Sequence, residues 1–527
     1  MSDILQSTER LPDNLEDRKR TRAFIALFLI EMWERFGYYG MAVLLVLFLK
    51  ETLGFSDVRA NLTWGAFGAM VYAVPTVGGW IGDRILGARR TTLLGAIVLG
   101  LGYAMMAVPW EFWLPKGSTY GDLATPLLFF SLGLIAAGNG LFKANPNNLV
   151  SRLYEKDPSK LDGAFTMYYM SINIGAAISQ FGVPLIRAHS EDWFGVPLKY
   201  GWYLGFALCA LGLVFGIAQY TLQRKTLEHV GSEPDFKPLN KGYLFAVLAG
   251  TLLVAGLIAL IIQNLAVAKI VVWAAGAILL ALFAWLIAKG GKAERSGLIA
   301  MLLLTAEGIL FFIFYQQMST SLTLFALRNV DLNFYGYLVP PEQFQVLNPL
   351  WIAVLSPILA WLYAGLGKKD RDPSVATKFA VGFVMVAIGF FLYGISGHFA
   401  VAGKVSAWWM IWGYFFQSFG ELLISGLGLA MVSRYVGPSL RGLMMGAWLL
   451  STGLAQYMGS IVANYAAVPK NVTNPLETLP LYTNLFMKLG YVALLGVLLA
   501  LIILPLLKRL DKASKQPHPE VAAPQFE

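Results

Sequence analysis

Charge, cysteine and histidine are all scarce in this 527-residue chain: 13% of residues are charged, one is cysteine and four are histidine. A soluble globule averages about 25% charged and 45–50% apolar residues, whereas 57% of this chain is hydrophobic. Too little polar surface is available for a soluble fold, so the solvent is a bilayer. The lone Cys209 sits in an apolar run, which excludes an intramolecular disulfide and a cysteine-based metal site. His189, His229, His398 and His518 all fall in predicted loops or tails, so no imidazole is expected inside a span. There is no H-E-x-x-H, no G-x-S-x-G and no G-x-x-x-x-G-K-[ST], which leaves zinc hydrolase, serine hydrolase and ATP-driven pump unsupported. Residues 1–21 are polar and contain no h-region with a cleavage site, so no removable signal peptide is expected and the N-terminus stays inside.

What is present is a series of apolar runs near 20 residues long, with a mean hydropathy of +0.61. Windows of about 19 residues predict spans at 23–49, 61–82, 91–110, 125–151, 164–186 and 199–222, then at 297–326, 345–365, 377–398, 406–434, 441–466 and 481–507. A further pair, 242–263 and 268–288, lies between the two sets. The expected fold is an all-α membrane protein of 14 transmembrane helices: two six-helix bundles, 23–222 and 297–508, a linker with the extra pair at 223–296, a cytoplasmic segment at 1–22 and a cytoplasmic tail at 509–527. The net charge of +9 sits in the short gaps between runs, which points to membrane topology and not to nucleic acid. Most of the 40 Lys and Arg fall on one side if both termini are cytoplasmic. The extra pair is almost free of ionisable residues, so a peripheral, lipid-facing position is expected for it.

Between the second and third spans runs Gly78-Gly79-Trp80-Ile81-Gly82-Asp83-Arg84-Ile85-Leu86-Gly87-Ala88-Arg89-Arg90. The glycines permit close helix approach, Asp83 can cap or pair at a helix end, and Arg84, Arg89 and Arg90 are expected to anchor at the inner surface. The loop resembles that of the major facilitator superfamily, with Gly79, Asp83, Arg84, Arg89 and Arg90 as its conformational residues. In that superfamily two six-helix halves rock around a midplane site. The counterpart in the second half, Gly365-Leu366-Gly367-Lys368-Lys369, is degenerate.

Of the ionisable residues inside predicted spans, six stand out: Glu31, Glu34, Arg35, Lys143, Glu307 and Glu421. Each costs about 2.5–3.5 kcal/mol at a helix centre, roughly 15–20 kcal/mol together if all faced lipid. They must therefore face the bundle interior, water or one another. In Glu31-Met32-Trp33-Glu34-Arg35-Phe36-Gly37-Tyr38-Tyr39 the spacing i, i+3, i+4, i+7 puts Glu31, Glu34, Arg35 and Tyr38 on one helix face. Close carboxylates beside a guanidinium are suited to exchanging a proton, although a permanently paired ion network that only fixes helix packing has the same pattern.

This stretch matches the first-helix signature E-x-x-E-R-F-x-Y-Y and resembles the proton-dependent oligopeptide transporter family. Two further signatures agree: Gly138-Asn139-Gly140-Leu141-Phe142-Lys143-Ala144-Asn145-Pro146, followed by the run from Asp162 to Gly175, and Phe419-Gly420-Glu421-Leu422-Leu423-Ile424-Ser425. The resemblance spans nearly the whole chain, including the two extra helices of bacterial members. It implies a secondary active transporter, not an enzyme, in a bacterial inner membrane. Its substrates would be di- and tripeptides together with protons, with no cofactor, the proton gradient as energy source, no nucleic acid partner, and function as a monomer.

By the same resemblance, Arg35 and Lys143 face the peptide carboxylate and Glu421 its ammonium group, with Lys143 also linked to protonation. Asn173 and Asn348 contact the backbone or amino end, Tyr38, Tyr39, Tyr72 and Trp448 line the cavity, and Gln316 and Ser425 complete the peptide-binding set. Proton coupling is expected of Glu31, Glu34, Arg35, Lys143 and Glu307. Lys143 and Glu421 are also expected to attract each other in an empty cavity. One outer charge pair of some relatives is missing, since its places hold Ala42 and Gln316, and Glu307 is either its compensation or a local structural charge. A carrier of another small substrate and a non-transporting peptide sensor stay open at this level.

Overall fold

The computed structural model describes residues 13–114, 117, 121–367, 374–424, 435–437 and 440–514, almost all of them helical. The chain divides into two compact units: unit 1 holds residues 1–269 and 338–349, and unit 2 holds 270–337 and 350–527.

Unit 1 is built from α1 (Asp13–Glu51), α2 (Asp57–Ala73), α3 (Pro75–Arg84), α4 (Ala88–Met106), the short α5 (Trp110–Trp113), α6 (Ala124–Leu153), α7 (Leu161–Ala188), the short α8 (Ser190–Phe194), α9 (Leu198–Leu222) and α10 (Lys241–Gln263). The second predicted span is thus two helices. Pro75 has no N–H to donate into the turn before it, so α2 stops at Ala73 and α3 restarts at Pro75. Residues without bulk then bring α3 against α6: a Cβ on Gly78 would strike the Gly140 carbonyl, and one on Gly82 would strike the Asn145 side chain. Asn145 Nδ2 completes the contact by donating to the carbonyls of Leu141 (2.6 Å) and Gly78 (3.1 Å).

The polar stretch between α9 and α10 is more than a tether. Ser232 Oγ accepts from Ala88 N (2.8 Å) and donates to the Gly82 carbonyl (2.6 Å), and the buried Asp235 carboxylate accepts from Arg89 N at 3.1 Å. These groups cap the N-terminus of α4 from more than 140 residues away, because Gly87, at φ +100°, offers no side chain to do so. The expectation that Arg89 and Arg90 anchor at the membrane surface is corrected here. Arg89 donates to the carbonyls of Leu227 (2.8 Å) and Asp235 (3.0 Å), and Arg90 to those of Pro234 (3.0 Å) and Lys237 (2.7 Å). A guanidinium satisfied by backbone carbonyls is held by the protein, and only Arg84 of the three remains exposed.

Unit 2 contains most of α11 (Leu265–Lys289), then α12 (Lys292–Tyr315), α13 (Ser321–Asn329), β1 (Asn333–Phe334), the first residue of its hairpin partner β2 (Tyr337–Leu338), most of α14 (Leu347–Gly367), α15 (Val375–Ile395), α16 (Trp408–Ile424), α17 (Arg441–Ala463) and α18 (Pro475–Ser514). The seventh predicted span is interrupted by a 3₁₀ turn at Gln316–Ser319 between α12 and α13. α15 packs along α18 and α16, and α12 along α17. The extra helix pair is divided: α10 lies on α6, where a Cβ on Gly133 would meet the Ala255 carbonyl, while Gly276 of α11 faces Leu454 of α17.

Among the described residues, ten helical runs are long and apolar enough to cross a membrane. The other four expected spans hold α2 with α3, α4, α16 and α17, and the span expected at 406–434 runs in part through residues outside those described.

Replacing Asp235 by Ala removes the borrowed cap of α4 and a partner of Arg89, and should lower stability by about 1–2 kcal/mol. Thermal unfolding of the detergent-solubilised variant measures this; an unchanged Tm would show that the Asp235 contacts add nothing.

Candidate functional site

One face of α1 gathers the charges of unit 1. Glu31, Glu34 and Arg35 are all buried, at 1%, 0% and 4% exposure. Arg35 Nε lies 3.3 Å from Glu31 Oε1 and also pairs with Glu34 Oε2. Tyr168 of α7 donates its hydroxyl to Glu31 Oε2 at 2.5 Å. The Arg35 guanidinium lies 5.4 Å from the centre of the Tyr38 ring, which meets Tyr39 edge-on at 5.4 Å. Lys143 of α6 is within electrostatic reach of Arg35, Glu31 and Glu34, and Tyr72, near the end of α2, is within reach of Tyr38. The cluster expected from the first-helix spacing therefore exists, and Lys143 and Tyr72 join it.

Tyr168 was not among the expected site residues. Its signal was present in the run from Asp162 to Gly175, but spacing within α7 does not reveal which of two adjacent tyrosines turns toward α1. Gly175 sets that contact: a Cβ there would meet the Met32 carbonyl and would crowd Phe36 N at 3.0 Å. Asn173 is half-buried on α7 and donates to the Tyr169 carbonyl at 3.1 Å.

In unit 2, Glu307 of α12 is fully buried, and neither carboxylate oxygen has a hydrogen-bond partner among the described residues. Its neighbour Gly308 lies against the Trp448 ring of α17, which is also near Phe312 at 6.3 Å. Gln316 is buried against Gly459 in the 3₁₀ turn, and its Nε2 has no partner among the described residues. Glu421 of α16 is buried, at 8% exposure. Ser425 lies outside the described residues.

The segment 338–349 interrupts unit 2 in sequence but belongs to unit 1. Arg187, in the last turn of α7, donates from Nε (3.0 Å) and Nη2 (2.5 Å) to Glu342 Oε1, and stacks on Trp202 at 4.1 Å. Glu342 is fully buried, and Gln343 Nε2 donates to the Phe181 carbonyl at 2.9 Å. Asn348 is buried in the same segment. This ion pair was invisible in the sequence because its members lie 155 residues apart, each at a span end.

In the loop motif, Asp83 Oδ1 accepts from Asn148 Nδ2 at 2.5 Å and pairs with Arg152 at 3.4 Å, while Gly79 leaves its α-carbon close to Ala144. Outside the spans, the Ser159 hydroxyl first, then Lys160, hold the Asp157 carboxyl below the usual range. Asp157 also pairs with Arg20 at 3.4 Å, which ties the start of α1 to the turn after α6. Such exposed pairs add little stability.

Residues 89–482 match the POT family. The chain belongs to the POT family. It is 40% identical over 502 residues to dipeptide and tripeptide permease B of Aliivibrio fischeri, covering 95% of this chain and 97% of that protein. It is 41% identical over 494 residues to dipeptide and tripeptide permease B of Salmonella typhimurium, covering 93% and 96%. Among solved structures, tetrameric PepTSo2 superposes with a TM-score of 0.83 at 49% identity, covering 93% of this chain and 99% of that one. A peptide transporter POT in complex with sulfate superposes at 0.76 with 29% identity, covering 93% and 95%. As a POT member this chain is a multi-pass membrane transporter of the major facilitator type and not an enzyme.

In this POT chain, a side chain at position 175 must drive α7 away from α1. Gly175→Val should therefore reduce the monodisperse, membrane-extracted protein several-fold in fluorescence-detected size-exclusion chromatography; wild-type yield would contradict the backbone contact.

Proposed function

We propose that this protein carries di- and tripeptides into a bacterial cell in symport with protons by alternating access, with both termini cytoplasmic and each chain working as a monomer. The observation that carries this reading is the buried set Glu31, Glu34 and Arg35, hydrogen-bonded by Tyr168 and within reach of Lys143. A substrate with any side chain is recognised by what all peptides share, the two charged ends and the backbone between. Arg35 offers a planar fork for the carboxylate and Lys143 a point charge. Glu421 offers the ammonium group a partner, Asn173, Asn348 and Gln316 offer amide groups, Tyr38, Tyr39, Tyr72 and Trp448 offer adaptable apolar surface, and Ser425 offers a hydroxyl. Glu31 and Glu34 are the proton carriers of the first half, and the unpartnered Glu307 is the corresponding group of the second. No cofactor is required; the proton gradient supplies the energy. The names of the permease relatives support the peptide class.

Proteoliposomes with an imposed pH gradient test this directly. Labelled dialanine should accumulate, and di- and tripeptides should compete, whereas single amino acids and nitrate should not. Failure of every peptide to compete would sink the substrate class, and binding without accumulation would make the protein a sensor. Lys143→Ala should abolish accumulation. Glu31→Gln and Glu34→Gln should impair proton-driven uptake by ten-fold or more while sparing counterflow; equal loss of both would show that these acids serve packing or peptide binding and not coupling.

A further inference from the structure

A groove of about 300 Å³ opens on the outside of unit 1, between α3, α6 and α10. Val77 and Trp80 form one wall, Gly140 part of the floor, and Tyr243, Gly250 and Val254 the other wall. It takes no part in the site described above. Its depth has a sequence cause: Gly78 and Gly140 let α3 sink against α6, and Gly250 leaves open space on α10 where a side chain would stand. α10 is the most apolar of the spanning helices, with an 18-residue window of mean hydropathy 2.7, so the groove faces lipid.

Apolar fit alone does not select an occupant in a bilayer, because lipid tails surround every such surface. The charges at the mouth do. Arg84 continues the row of α3 residues 77, 80 and 81 by one turn, and Lys241 opens α10. The linker staple on the α3–α4 loop leads directly into Lys241, so both cations lie at the same membrane face. Both are exposed, and neither forms an ion pair among the described residues. Asp83 is committed to Asn148 and Arg152, and Glu233 pairs with Lys237 at 2.5 Å with Arg84 also within its electrostatic reach. Trp80 and Tyr243, more than half exposed, sit at the depth where aromatic rings favour the headgroup boundary.

We infer that this groove is a binding site for one anionic diacyl phospholipid, with an acyl chain between α3 and α10 and the phosphate between Arg84 and Lys241. The occupant lies against α3, which carries the first part of the Gly79–Arg90 motif, so the lipid is a ligand of that motif and not only its solvent.

Native mass spectrometry of the full-length protein in detergent, with an equimolar mixture of phosphatidylglycerol and phosphatidylethanolamine, reads this out. The wild type should retain one phosphatidylglycerol in preference. Lys241→Gln and Arg84→Gln should each weaken retention by about five-fold, in line with ~1 kcal/mol per cation near a charged surface. Gly250→Leu fills the groove on a lipid-facing surface, leaves both cations in place, and should abolish retention with monodispersity unchanged. Equal retention of the zwitterionic lipid, wild-type retention by Gly250→Leu, or replacement of the phospholipid by added oleate would each overturn the assignment.

Discussion

A guanidinium shared by two carboxylates inside a bilayer is the constraint on which the rest of unit 1 is organised. Taking such ions out of water costs several kcal/mol each even after relaxation, and removal of one partner from a buried pair costs about 3–5 kcal/mol more. The chain meets this with Glu31 and Glu34 beside Arg35 on α1, the Tyr38 ring against its face, and Tyr168 satisfying the far oxygen of Glu31. That arrangement needs α7 within backbone distance of α1, which is why position 175 has no side chain. The tight helix packing follows from the electrostatics.

The same logic recurs at the loop motif. The N-terminus of α4 presents free N–H groups beside Gly87, which lacks any side chain to satisfy them, and the chain borrows Ser232 and Asp235 from a distant linker. Arginines that read as membrane anchors then bind the carbonyls of that linker. The stretch that follows α9 is thereby fixed to the α3–α4 turn of the same unit.

How far the sequence was legible depended on the range of each interaction. The α1 charge stripe follows from periodicity within one helix and is present, and ten of the expected spans coincide with long apolar helical runs among the described residues. The break at Pro75 was legible in principle, since a proline within a helical window ends the helix before it, but a hydropathy window averages across it. The 3₁₀ turn at Gln316–Ser319 has no comparable marker. Contacts between distant segments were not legible at all: Arg187 with Glu342, Tyr168 with Glu31, and Asp235 with Arg89 each depend on which faces of separate helices meet. Family signatures supplied part of this, because a signature records residues that share a site even where their contacts cannot be derived.

Charge balance gives the proposed coupling a physical basis. Glu31, Glu34, Arg35 and Lys143, all ionised, sum to zero, so the empty cluster of unit 1 is neutral without a bound proton. A peptide carboxylate brought to Arg35 and Lys143 makes that sum −1 in a medium where an uncompensated charge is expensive. A proton taken up by either carboxylate restores neutrality, and the acid so formed donates a hydrogen bond where the carboxylate only accepted one. Peptide and proton then favour each other's binding by the same free energy, as linkage requires. No contact between the two is needed, which explains how one cluster can serve both proton and substrate. In the proposed binding mode the peptide's ammonium group would introduce the opposite charge, and Glu421 would balance it without any titration. Coupling is thus a property of the carboxylate end, and a substrate lacking that end should bind without drawing a proton with it.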